Sequence, residues 1–147
     1  MESDIFLREI TFSDYEAYLK LMFEFTNYAY DITLEQFKIT LDRMTHNKSN
    51  KIIVLILDGK IIGAGTIFKI EKLHNNPIGQ LEDVIISEKY RSKGYGNMII
   101  KKLIEIGLNE MKCYKIILNC LDHNIKFYEK CGFKKVGVEM KYNDIMI

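Results

Sequence analysis

Residues 91–96 read Arg-Ser-Lys-Gly-Tyr-Gly, two glycines one residue apart with two cations just ahead of them. Where such a run opens a helix, the unpaired N–H groups of the first turn and the positive end of the helix dipole favour an anion. Gly94 and Gly96 let the backbone curl so that several N–H groups converge, and they keep side chains out of the way of a phosphate. Arg91 and Lys93 add charge. The spacing is neither the Gly-x-x-x-x-Gly-Lys-Ser/Thr phosphate loop nor the Gly-x-Gly-x-x-Gly dinucleotide fingerprint. Alone, the run is equally a structural turn. Tyr128 carries a phenol with an ordinary pKa of about 10, protonated at neutral pH and able to donate a proton; in a Phe-Tyr pair on a short helix it is also an ordinary core aromatic. Glu82 and Asp83 are adjacent carboxylates, which a regular strand sends to opposite faces and so does not offer as a dyad.

Periodicity supplies the elements that position these residues. Ile5 to Ile10 is strand-like, and a helical pattern then places Tyr15, Leu19, Met22, Phe23 and Thr26 on one face. Thr33-Leu34-Glu35-Gln36 has capping-box spacing and opens a second helix through about Met44. Lys51 to Leu57 and Lys60 to Ile70 are β-branched runs joined by Asp58-Gly59, a hairpin signal. Gln80 to Ile86 is a further strand. The loop at 91–96 then leads into a helix over Asn97 to Met111, with Ile99, Leu103, Ile106 and Met111 near one stripe. Lys115 to Cys120 is a strand, Asn124 to Cys131 a short helix with Gly132 at its C-terminal cap, and Phe133 to Met140 a closing strand. The order β-α-α-β-β-β-α-β-α-β predicts one α/β domain over 1–147 with a mixed sheet. Ligand sites in such units lie at the carboxyl ends of strands, where the 91–96 loop falls.

Composition narrows the class. The 147 residues are 48% hydrophobic and 28% charged, with 21 basic and 20 acidic side chains. A net charge of +1 argues against a nucleic-acid binder driven by bulk electrostatics. Cys113, Cys120 and Cys131 form no Cys-x-x-Cys pair and read as buried or partly buried reduced thiols; His46, His74 and His123 are scattered, so no metal is expected. The first residues lack a secretory pattern, and no apolar run approaches the ~18 residues of a membrane helix. The expectation is a soluble, cytoplasmic protein with no membrane or nucleic-acid partner.

Arg91-x-x-Gly94-x-Gly96 after a strand resembles the cofactor motif of the GNAT superfamily of N-acetyltransferases. Asn124-Ile125-Lys126-Phe127-Tyr128-Glu129-Lys130-Cys131-Gly132-Phe133 resembles that superfamily's second motif, in the expected order and at the expected separation. Within it, Glu82-Asp83-Val84, Cys113 to Leu118, Phe127 to Phe133 and Gly137-Val138-Glu139-Met140 resemble the eukaryotic-type glucosamine-6-phosphate N-acetyltransferases, over about residues 80–141.

The resemblance implies a GNAT fold, a mixed central sheet with splayed strands and flanking helices. It implies acetyl-CoA as co-substrate, an amino-sugar phosphate as acceptor, and direct attack of the amine on the thioester. Arg91, Ser92, Lys93, Gly94, Tyr95, Gly96 and Asn97 then hold the pyrophosphate. The backbone of Val84, Ile85 and Ile86 pairs with the pantetheine arm, and the N–H near Val84 polarises the thioester carbonyl. Asn124 and Lys130 join the cofactor contacts; Asn124 is equally a helix N-cap. Tyr128 becomes the acid that protonates the departing thiolate. Thr26, Glu82, Asp83, Tyr114, Lys115 and Asn119 fall at sugar-phosphate positions, with Asp83 assisting loss of the amine proton. A homodimer is implied in which both chains build the acceptor site, with Val136, Val138, Met140 and Tyr142 suited to an interface. Three positions depart from the relatives: Asn119 replaces an acidic residue, Gln80 a His, and Asn143 an expected cation. A GNAT acting on another amine, and a non-catalytic acetyl-CoA-binding module, therefore remain open readings.

Overall fold

Asp58 and Gly59 both take positive φ, 48° and 79°, the requirement of a two-residue turn whose twist matches its strands. The flanking runs pair antiparallel as β2 (Asn50–Leu57) and β3 (Lys60–Ile70). The computed structural model describes residues 2–143. Around this hairpin, β1 (Ile5–Glu9), β4 (Ile78–Ile86) and β5 (Lys115–Leu118) complete a five-stranded sheet in the order β1-β2-β3-β4-β5. All pairings are antiparallel except β4 with β5, which is parallel.

Alternation along β2 and β3 gives the sheet two apolar faces. Val54, Ile56 and Ala64 face α1 (Tyr15–Thr26) with Leu21 and Ile85. Ile53, Leu55 and Ile67 face α3 (Tyr95–Glu105) with Ile99, Ile100 and Leu103. The three α3 side chains are fully buried. Each contributes about 1.5–3 kcal/mol, which fixes the rotation of the helix. Gly65 permits the close approach: a Cβ there would lie 2.7 Å from Ile99 Cγ2 and 2.9 Å from Leu103 Cδ1. The helix that begins at the glycine loop is thereby pressed onto the sheet.

The Thr33 capping box forms, with the Gln36 N–H donating to Thr33 Oγ1 at 3.2 Å and the Thr33 N–H donating to Gln36 Oε1 at 2.8 Å. It opens α2 (Leu34–Thr45). In α1 the inward stripe is Tyr18, Leu21 and Met22, whereas Phe23, expected inside, is 48% exposed. The long helix expected through Met111 ends its regular part at Glu105 and continues as a π-turn over Ile106–Glu110, closed by the Met111 N–H to the Ile106 carbonyl at 2.9 Å. That wider turn keeps Ile106 and Met111 buried together. The fourth helix, α4 (Ile125–Lys130), is capped by Gly132 at φ 100°.

The closing strand expected over Phe133–Met140 is absent: residues 134–143 form neither strand nor helix. Val136, Val138, Met140 and Tyr142 are 89%, 85%, 91% and 104% exposed. The apolar alternation is present, and the segment lines one cavity with residues 116–118 of β5, but it pairs with no strand among the described residues, and without ladder bonds an extended segment is not a strand.

Candidate active site

The site begins where two parallel strands part. β4 and β5 pair only from Ile78 with Lys115 to Leu81 with Leu118. β4 then runs on to Ile86, and from Glu82 onward its edge toward β5 has no backbone partner among the described residues. This is the splay that the family resemblance implies. The free edge carries the backbone of Val84, Ile85 and Ile86.

β4 also bulges. Ala64 pairs with Ile85 and Thr66 with Glu82, so Asp83 and Val84 together oppose Gly65. Asp83 takes a left-handed conformation at φ 50°, as the extra residue of a bulge can. The phase of the strand reverses there: Leu81 joins the α3 face, yet Ile85 lies on the α1 face. Regular alternation would send Glu82 and Asp83 to opposite faces, but the bulge brings both to the α1 side. Glu82 stands opposite Thr66. The Asp83 carboxylate lies near the Tyr18 hydroxyl, and Thr66 is close by as well. Burial, then the Asp83 charge and Tyr30, push Tyr18 up to about 12. Burial likewise raises the Asp83 carboxyl above its ordinary value. Tyr18 and Tyr30 carried no local signal; only the path of α1 and of the loop after it brings them to Asp83.

Beyond β4 the glycine loop has the curvature its composition implies. Gly94 is left-handed at φ 86° and caps α3; Ser92 is left-handed as well, at φ 62°. Two such residues, one residue apart, turn successive N–H groups toward one point at the start of α3, a concavity suited to a phosphate. A Cβ at Gly94 would meet nothing within 4 Å, so the glycine serves the conformation. Gly96 serves proximity, because a Cβ there would come 3.0 Å from Phe127 Cζ. Arg91 turns back, its Nε–H donating to the Ile86 carbonyl at 2.9 Å. Lys89 and Lys93 stand over the Tyr90 ring at 5.2 and 6.0 Å. Tyr95 and Asn97 lie in the first turn of α3.

Across the gap, α4 presents Tyr128, its ring edge-on to Phe127 and Phe133. Burial, with lesser contributions from the Cys120 and Cys131 charges, pushes Tyr128 up to about 12. Tyr128 lines a cavity of about 550 Å³ with Leu118, Asn119 and Cys120. Asn119 thus lines the same cavity as Tyr128, just past the point where β5 stops pairing. Asn124 occupies the N-cap of α4 without a side-chain capping bond, which leaves its amide free. Lys130 ends α4, exposed.

Other positions are not gathered at this point. Lys115 pairs with Ile78, five residues before Asp83. At about 3.3 Å per residue, that separation is about 16 Å along the sheet. Tyr114 is beside it, in contact with His74 at 6.2 Å and with the Lys115 ammonium at 5.4 Å. One chain does not bring Tyr114 and Lys115 to Asp83. Thr26 spends its hydroxyl on α1, donating to the Met22 carbonyl at 2.8 Å and accepting from the Tyr28 N–H at 3.2 Å. Among the described residues no group of three His, Cys, Asp or Glu side chains could hold a metal.

A sequence profile of the acetyltransferase (GNAT) family matches residues 7–133. The chain belongs to the GNAT family. Relatives of this GNAT domain include glucosamine 6-phosphate N-acetyltransferase 1 of Dictyostelium discoideum, 37% identical over 113 residues that span 74% of this chain and 71% of the relative. The glucosamine 6-phosphate N-acetyltransferase of Schizosaccharomyces pombe is 39% identical over 83 residues, 55% of this chain and 74% of the relative. The crystal structure of glucosamine-6-phosphate N-acetyltransferase from Arabidopsis thaliana superposes at a TM-score of 0.87 with 28% identity, covering 96% of this chain and 99% of that one. The GNAT fold thus spans nearly the whole chain.

Proposed function

We propose that this chain transfers the acetyl group of acetyl-CoA to the amine of D-glucosamine 6-phosphate, releasing N-acetyl-D-glucosamine 6-phosphate and CoA. The observation that carries this reading is the parting of β4 from β5 at Leu81 and Leu118, with the Ser92–Gly94 turn beyond the end of β4. The relatives named above support the acceptor. The backbone turn suits the pyrophosphate and the free edge at Val84–Ile86 suits the amide groups of the pantetheine arm.

The neutral amine attacks the thioester carbon, and the carbonyl oxygen gathers charge that a backbone N–H near Val84 stabilises. The carbon–sulfur bond breaks and the thiolate takes the Tyr128 proton. That phenol, pushed up to about 12, is protonated whenever the amine is free to react. Asp83, its carboxyl raised by burial, is closer in basicity to an amino-sugar amine than an exposed carboxylate and assists removal of the amine proton. Glu82 faces the acceptor beside it. Asn119 bonds a sugar hydroxyl but carries no charge to pair with an ammonium.

The chain works in this reading as a homodimer. Val136, Val138, Met140 and Tyr142 form an exposed apolar alternation. That alternation and the open outer edge of β5 complement each other between two copies, each tail adding a strand to the other's sheet. The second copy then supplies Tyr114 and Lys115 to an acceptor site they do not reach within their own chain. Three free thiols, Cys120 exposed, suit a reducing compartment, the cytoplasm.

A panel of amines incubated with acetyl-CoA, with free thiol release as the readout, tests the reading. Turnover should be highest with glucosamine 6-phosphate; good turnover of another amine with none of this one would overturn the acceptor.

A further inference from the structure

The segment between β4 and the glycine loop is held from a distance. Ser87 ends the strand, its N–H bonded to the Ile62 carbonyl at 2.8 Å, and residues Glu88–Tyr90 form a single 3-10 turn before Arg91. Within that turn the Tyr90 N–H donates to the Ser87 carbonyl at 2.9 Å and the Arg91 N–H to the Glu88 carbonyl at 3.3 Å. The N–H of Glu88, at the start of the turn, has no partner in its own segment. It donates to Glu24 Oε2 at 3.0 Å, while Ser87 Oγ donates to Glu24 Oε1 at 3.3 Å. Both oxygens of one α1 carboxylate, more than sixty residues away in sequence, thus cap the turn that leads into Ser92 and Gly94.

We infer that Glu24 is a positioning residue for acetyl-CoA, holding the pyrophosphate loop in its binding shape through Ser87 and Glu88. The inference rests on the reading of residues 91–96 as that loop. Three features support it. The bonds meet the turn at its first residue, three positions before Arg91, whose side chain is in turn anchored to the Ile86 carbonyl. The loop beyond contains a non-glycine residue, Ser92, at φ 62°. Such a conformation needs support from its surroundings. Glu24 also lies two residues before Thr26 and three before Asn27, where α1 ends in a left-handed residue at φ 56°. The helix that walls the acceptor side therefore also sets the cofactor loop.

Simple electrostatics gives the opposite sign. A surface carboxylate near a pyrophosphate repels it, so removing a mere surface charge would tighten binding. A brace, once removed, loosens it. Glu24 is exposed and alanine favours a helix, so Glu24→Ala should fold. Glu24→Gln keeps an oxygen for the Glu88 N–H while losing the charge.

The test is calorimetric titration of the full chain with CoA, beside thermal unfolding and the KM for acetyl-CoA. We expect Kd to rise about fivefold in Glu24→Ala and twofold or less in Glu24→Gln, with KM following Kd and the ligand-free unfolding temperature of both variants close to wild type. Equal or tighter CoA binding by Glu24→Ala overturns the inference, as does a loss in both variants that tracks a fall in unfolding temperature. Failure of the wild-type chain to bind CoA would instead overturn the reading of the loop itself.

Discussion

Phe127 rests against Gly96, so that the ring Cζ is 3.0 Å and Cε2 3.5 Å from where a Cβ at residue 96 would stand. The contact joins the helix bearing Tyr128 to the first turn of the helix that begins at the glycine loop. Their spacing sets the distance between Tyr128 and the glycine loop.

Gly96→Ala should disturb that spacing. Overpacking of this kind commonly costs about 1–3 kcal/mol, but here one ring edge can tilt away. We expect the KM for acetyl-CoA to rise three- to tenfold, and Phe127→Leu added to Gly96→Ala to recover part of the loss. Steady-state kinetics of the two single variants and the double variant measure the coupling.

Tyr128→Phe should lower kcat at least tenfold with CoA affinity nearly intact, because the ring packing survives and only the proton is lost. Burial pushes this phenol up to about 12. The wild-type kcat should therefore show no alkaline limb from Tyr128 below about pH 11. A pH profile of single-turnover rates checks both statements. Unchanged turnover in the variant would remove Tyr128 from the chemistry.

The Arg8–Asp14 pair gives a stability prediction. Asp14 is buried and accepts two bonds from the Arg8 guanidinium, at 2.7 and 2.9 Å, and one from the Thr11 N–H at 2.8 Å. Burial alone would raise its pKa, but these bonds outweigh it and hold the carboxyl below the ordinary value. A depressed carboxyl stabilises the fold above its unfolded pKa, about 4, and loses that contribution as pH falls through the folded one. Denaturant unfolding should therefore show stability falling below about pH 4. Asp14→Ala should cost about 1–3 kcal/mol at neutral pH and flatten that acid dependence.

Much of this arrangement is readable locally. Asp58-Gly59 dictates its hairpin, Thr33 and Gln36 their helix start, and Gly94 its left-handed turn, each because the deciding atoms lie within a few residues. Three things were not readable, for a common reason. Ser92 adopts a conformation its own side chain does not favour, the Asp83 bulge has no glycine to announce it, and Glu24 meets Ser87 only through the packing of α1. In each case tertiary contacts override local preference. The tail differs for another reason: Val136, Val138 and Met140 alternate as a strand should, but alternation does not say which edge a strand pairs with, and in one chain the segment stays across a cavity from β5 without pairing to it.

The assembly prediction follows from that tail. Val138→Lys with Met140→Lys should convert a dimer to a monomer in sedimentation and raise the KM for glucosamine 6-phosphate more than that for acetyl-CoA. A monomeric wild-type chain would dispose of the dimer.

The bulge at Asp83 has a thermodynamic consequence of its own. A left-handed conformation costs a side-chain-bearing residue about 1–2 kcal/mol, somewhat less for aspartate, and glycine nothing of the kind. Asp83→Gly should thus leave the protein as stable as before, or up to ~1 kcal/mol more so, while turnover falls by an order of magnitude or more. The position is one where robustness and activity pull apart. A search for hardier variants of this chain would be drawn to residue 83, and each gain in heat resistance found there would come with a slower enzyme.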